Sequence, residues 1–212
     1  GTNTRPFPQG VAATASGDRL FVTLANLDPN FAAGGPGVVL VVDSDRGALV
    51  EHAVLVLPTG RNAGDVAWAQ VGGRESMAVA CAGDFEAGTG YLQNGSFHLL
   101  DVTTLREVAA IPVPSAPVEV LVVGERAFGA GAQIGDISQV DLGERTAGPI
   151  IDIPDSGVGL NYCSGLAPLD AAHLLAAEFN GDRLYVVDLA RNAVTGSWTV
   201  GDGPDAVVVI PE

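Results

Sequence analysis

The sequence predicts an all-β protein, a β-propeller of four-stranded antiparallel blades. Three observations predict it: short apolar runs between turn formers, a strand ending in Asp that recurs four times, and the same order of strands around each recurrence. Of the 212 residues 47% are hydrophobic and only 6% aromatic, while 28 Gly and 13 Pro break the Val, Ala and Leu into short runs. Such runs read as many short strands joined by tight turns.

The recurring block is Val38 to Asp43, Ser96 to Asp101, Asp136 to Asp141 and Arg183 to Asp188. Its terminal Asp residues are 58, 40 and 47 residues apart, which is the spacing of propeller blades. After each block come a polar turn and a fourth strand: Leu49 to Leu57, Val108 to Val113, Ile150 to Ile153 and Val194 to Val200. Before each block lies a strand of small and apolar residues: Leu20 to Ala25, Met77 to Ala82, Ala127 to Ala130 and Leu174 to Glu178. An entry segment leading into Val or Leu comes first, at Pro8 to Val11, Gly64 to Val66, Pro117 to Val120 and Cys163 to Leu166. Four strands in the order A-B-C-D form a blade. Small residues suit the inner strands, which crowd the central axis, and the terminal Asp suits a turn whose backbone N–H groups it can accept.

The units run approximately 8–60, 62–114, 116–154 and 160–200. Pro204 to Ile210 reads as a fifth strand A with no B, C or D strand behind it. Four blades plus one extra inner strand predict part of a larger propeller. The remaining blades would come from another chain or from sequence ahead of Gly1, and would cover what is otherwise a free sheet edge.

The segments Asp182 to Asp188, Gly201 to Val207 and Ser16 to Thr23 resemble the YVTN-type propeller repeat, strongly in the first and fourth units and loosely in the second and third. The resemblance implies a ring of about seven blades. It also implies an extracellular, cell-surface or periplasmic setting, with a lipid anchor ahead of Gly1 as one means of attachment.

Charge narrows the partners. Twenty-five acidic residues face ten basic ones, all Arg, for a net charge of −15. Phosphate binding depends on clustered cations, so no nucleic acid partner is expected. No apolar run approaches membrane-spanning length, so direct membrane insertion is not expected either. Cys81 and Cys163, on non-adjacent units, read as two small buried hydrophobes rather than as a disulfide.

In a propeller the B–C and D–A loops share one face. The long loops Asn26 to Gly37 and Gly83 to Asn94, with Pro154 to Asn161, place the irregular sequence there, where binding tends to reside. Aligned strand entries put Asp65 and Glu119 at one position, where other units carry Gly10, Gly165 and Ala206. Both carboxylates are expected at the channel, either solvated or holding Ca2+ or another divalent cation completed by carbonyls and waters. Gly159 to Ser164 is the most distinctive entry, and its Asn161 and Tyr162 are candidate ligand-binding residues. Asp43 to Gly47 lacks the later ligands of a calcium loop. Gly129 to Gly135 has the wrong spacing for a dinucleotide fingerprint. His52, His98 and His173 read as solvated strand or turn residues away from the axis, and no nucleophile elbow is present.

Two functions follow from these residues. One is a non-enzymatic scaffold that binds a protein partner or completes an assembly through its loop face. The other is a lactonase-type hydrolase in which Asp65, Glu119 and Asn161 hold an axial divalent cation.

Overall fold

The computed structural model describes residues 5–210 other than 31, 33, 156, 158 and 159. The side chains at 51 and 52 lie outside the description, so the expectation for His52 does too. Parts of the loops at 26–37 and 154–161 fall among the omitted residues.

Blade 1 is the sheet of β1 (Arg5–Ala13), β2 (Arg19–Leu27), β3 (Pro36–Asp43) and β4 (Ala48–Arg61), in that order. In blade 2, β5 (Ala63–Val71) and β6 (Arg74–Cys81) are followed by a two-stranded hairpin, β7 (Phe85–Glu86) and β8 (Gly90–Tyr91). The blade is completed by β9 (Ser96–Asp101) and β10 (Arg106–Pro112), which give the order β5-β6-β9-β10. Blade 3 holds β11 (Pro117–Val123), β12 (Arg126–Gly131) and β13 (Asp136–Asp141). Its outer strand is split into β14 (Thr146–Ala147) and β15 (Ile151–Asp152), both paired with β13. Blade 4 is β16 (Cys163–Pro168), β17 (His173–Glu178), β18 (Arg183–Asp188) and β19 (Ala193–Thr199). All four sheets are antiparallel. The expected A-B-C-D order therefore holds in every unit.

Strand alternation explains the packing, because successive side chains of a strand face opposite neighbours. In β6, Met77, Val79 and Cys81 pack with Phe21, Val39, Val41 and Leu57 of blade 1. The intervening Ala78 and Ala80 pack with Val120, Ala127 and Val140 of blade 3. In turn Phe128 and Ile137 of blade 3 meet Leu174, Ala176, Tyr185 and Val187 of blade 4. The core is thus three layers, one between each pair of blades.

The four repeated Asp residues make the turns that the sequence predicts. Asp43, Asp101, Asp141 and Asp188 accept from the backbone N–H three residues later, at Arg46 (2.9 Å), Thr104 (2.7 Å), Glu144 (2.8 Å) and Arg191 (3.0 Å). Residues 204–210 form no ladder. They lie against the inner strand of blade 4: a Cβ on Gly165 would stand 3.1 Å from Ala206 Cα and from Val207 N, and the Ser164 hydroxyl donates to the Pro204 carbonyl at 2.5 Å. Among the described residues the segment pairs with no strand.

Candidate functional site

Every inner strand carries a bulge at its entry. The register shifts between Pro8 and Val11, Ala63 and Asp65, Pro117 and Glu119, and Cys163 and Gly165. A bulge leaves ladder groups unpaired, and here the next blade's free N–H is met from the side. Asp65 Oδ2 accepts from Val120 N at 3.1 Å and so clamps blade 2 to blade 3. Glu119 stands at the equivalent place between blades 3 and 4, with the Leu166 N–H opposing the rise in its pKa. Glycine at position 10 is required by the same crowding, since a Cβ there would lie 2.2 Å from Asp65 Oδ1 and 2.7 Å from Asp65 Cα.

Burial raises the pKa of Asp65 despite its bonds to N–H groups. Burial, then the charges of Asp65 and Asp205, push Glu119 up to about 7, and its Oε2 is buried with no partner. The predicted pair is thus brought together electrostatically. Among the described residues no group of three or more His, Cys, Asp or Glu side chains could hold a metal ion. Asn161, the third residue of the predicted set, is 7% exposed and packs away, against Gly135, donating to the Ile153 carbonyl at 3.1 Å.

Tyr162 does reach the loop face. It forms an edge-to-face pair with Phe179 from the loop after β17, at 6.4 Å between ring centroids and 71°. Opposite stands a second such pair, Phe85 and Tyr91 of the β7-β8 hairpin, at 5.3 Å and 73°. Between them lies a cleft of about 490 Å³ lined by these four rings, Leu160 and Gln133. The hairpin is held from the neighbouring blade: Gln133 Oε1 accepts from Tyr91 N at 2.7 Å and Gln133 Nε2 donates to the Thr89 carbonyl at 3.0 Å. Gly90, at φ 90°, leaves room for that amide, since a Cβ there would lie 2.1 Å from Oε1. Burial raises the Tyr162 pKa, and Tyr91, Asp205 and Glu119 add to it. The hairpin walls also border a smaller recess of about 190 Å³ over Gly64 and Val118, the residues before Asp65 and Glu119.

Two polar groups escaped the sequence reading. His98 is fully buried rather than solvated. Its Nε2 lies 2.8 Å from Ser96 Oγ, and its Nδ1 bonds Glu107. Ser, His and Glu stand in the order of a hydrolytic triad, but His98 has no exposed surface and a Cβ at Gly60 would lie 2.7 Å from its Nε2, so the set staples β9 to β10 where no substrate fits. The i, i+2 spacing of Ser96 and His98 was the available signal. Asp136, 2% exposed, is buried beside Ser115; burial raises the Asp136 pKa and the Ser115 hydroxyl opposes the rise. His173, the first residue of β17, lies 3.0 Å from Asp170 in the turn before it. Both cysteines are free and buried, and burial pushes both thiols well above their ordinary range.

No family model and no curated protein matches the chain. Solved structures do. Hydrazine synthase of Kuenenia stuttgartiensis is 17% identical at a TM-score of 0.65, over 91% of this chain and 49% of that one. The β-propeller domain of Cps50 (Swd1) from Myceliophteria thermophila is 16% identical at 0.65, over 95% and 58%. AztD from Citrobacter koseri is 15% identical at 0.56, over 94% and 48%. The chain spans about half the length of these structures. At such identities they establish the fold alone: the chain is four blades of a β-propeller.

Proposed function

We propose that the chain is a non-enzymatic binding and assembly scaffold, four blades of a ring of about seven, which engages a protein partner through the loop face. The observation that carries this reading is the chemistry of that face. Its main cleft is walled by four aromatic rings and a leucine, and the Ser–His–Glu set that could attack a substrate is sealed inside blade 2. Aromatic walls on a rigid scaffold are the composition of interface centres. Assembly is supported at both ends of the array. Segment 204–210 lies against the inner strand of blade 4, and blade 1 presents an apolar sheet face with no neighbour among the described residues. The further blades, from the same or another chain, cover both in this reading. The likeness of Asp182 to Asp188 and Gly201 to Val207 to YVTN-type repeats supports an extracellular, surface or periplasmic setting, which protease accessibility on intact cells of the source organism tests.

A photo-crosslinking residue placed at Leu92, on the loop face, is expected to capture a protein in those cells, and one at Thr195, on the outer strand of blade 4, is not. Equal capture, or none at Leu92, overturns the reading. The hydrolase alternative has its own arm: saturable lactone hydrolysis that needs a divalent cation and is lost in Asp65→Asn and Glu119→Gln would replace the scaffold with the enzyme.

A further inference from the structure

We infer that the cleft between the β7-β8 hairpin and the loop after β17 binds an organic cation with an apolar body, of the quaternary or methylated ammonium class. The inference rests on the loop face being the binding face and names the chemistry it would recognise.

Three observations converge on it. The walls are two edge-to-face aromatic pairs, Phe85–Tyr91 and Tyr162–Phe179, set on blades 2 and 4 with Gln133 of blade 3 between them. An aromatic ring can offer a cation its negative face. The lining amides are engaged, since both ends of the Gln133 amide hold the hairpin and the Asn180 amide nitrogen donates to the Leu160 carbonyl, which leaves the hydroxyls of Thr89, Tyr91 and Tyr162 as side-chain donors. No Arg or His lines the cleft, and the chain contains no Lys. Finally, the ionisable groups that act on Tyr162 are Tyr91, Asp205, Glu119 and Cys163, all acids, so no positive charge opposes a cation at this wall. A cleft walled by aromatic rings, bordered by acids and without a cation in its lining disfavours anions. It favours a cation whose alkyl groups give up little water on entering.

Two sources offer this chemistry: a small free cation such as choline, and a methylated lysine side chain on a protein partner. Titration calorimetry of the full chain with choline, with its uncharged carbon isostere 3,3-dimethyl-1-butanol, and with a trimethyl-lysine peptide and its unmethylated form tests the inference. Choline or the trimethylated peptide is expected to bind saturably, and the isostere about tenfold more weakly than choline. Tighter binding of the trimethylated peptide than of choline assigns the protein source, and the reverse assigns the free cation. Tyr162→Ala and Phe179→Ala should each weaken binding by about tenfold, while Tyr162→Phe, which keeps the ring, stays within about threefold. Equal affinity for the isostere, no saturation with either cation, or affinity unchanged in both alanine variants overturns the inference. The wild-type comparison of choline with its isostere holds even if a variant fails to fold. Should both cations fail while capture at Leu92 persists, the cation assignment falls and the scaffold reading stands; loss of both removes the reading itself.

Discussion

Blades 1 and 2 are built from nearly the same strand chemistry and live in different surroundings. In blade 2, β9 is buried at every position and β6 at its last six. In blade 1, β2 and β3 alternate between buried and half-buried residues. Alternation usually marks a sheet with one polar face. Here the second face is apolar too: Leu20, Val22, Leu24, Val38, Leu40 and Val42 are half-exposed, and Val54 and Val56 are 55% and 53% exposed. Blade 1 therefore carries the sequence of a strand layer covered on both sides while it is covered on one. Blade identity is written in the residues, but the environment depends on having a neighbour.

That contrast can be broken by direct measurement. Truncating Phe97, fully buried between blades 2 and 3, should cost about 3–5 kcal/mol in urea unfolding, whereas Leu24→Ala on the open face of blade 1 should cost about 1 kcal/mol or less. Comparable losses would mean that the open face is covered after all, by a second copy in solution.

The seams sharpen the contrast further. Glu119 titrates near 7 in the folded chain, above its ordinary 4.5, so the native state holds the proton more tightly than the unfolded one. Its contribution is neutral at low pH and becomes a penalty as pH rises from about 4.5 through 7. Allowing for its partial exposure, Glu119→Gln should stabilise the chain by roughly 1–2 kcal/mol above pH 7 and leave it unchanged near pH 4. A variant destabilised at pH 8 would show instead that the carboxylate's interaction with Leu166 N outweighs its desolvation.

The turns should not distinguish the blades at all. Asp43→Ala and Asp101→Ala each remove an acceptor for one turn N–H, and each should cost about 1 kcal/mol by the same denaturation assay. Bonding to Thr104, first its N–H and then its hydroxyl, holds the Asp101 carboxyl below its ordinary value. Its contribution is therefore present above the ordinary value and is lost as pH falls from there through the lowered native one. Unequal losses would place part of the turn's stability in the neighbouring blade.

How much of this could be read in the residues follows from the range of each interaction. The blades were legible because their determinants are local: an apolar run, then Asp, then a turn closed three residues later. Tyr162 was singled out because its entry segment departs from the other three. The wall facing it was not, since Phe85 and Tyr91 belong to a hairpin of two-residue strands that Gln133 fixes from 42 positions away. Asp65 and Glu119 were found by alignment, but their role was not: the N–H that Asp65 meets is 55 residues along the chain. His98 was misjudged because strand sequence alone does not say which layers are covered twice.

The entry bulges carry a consequence for the cleft. An acid stands at the junctions from blade 2 to 3 and from 3 to 4, while glycine stands at the same place in blades 1 and 4. The first junction relies on the Thr23 hydroxyl, which accepts from Gly10 N and donates to the Gly64 carbonyl. The acids fall within the trio of blades whose loops wall the aromatic cleft. The acid-bearing junctions are thus the ones between the two pairs of rings that face each other across the cleft.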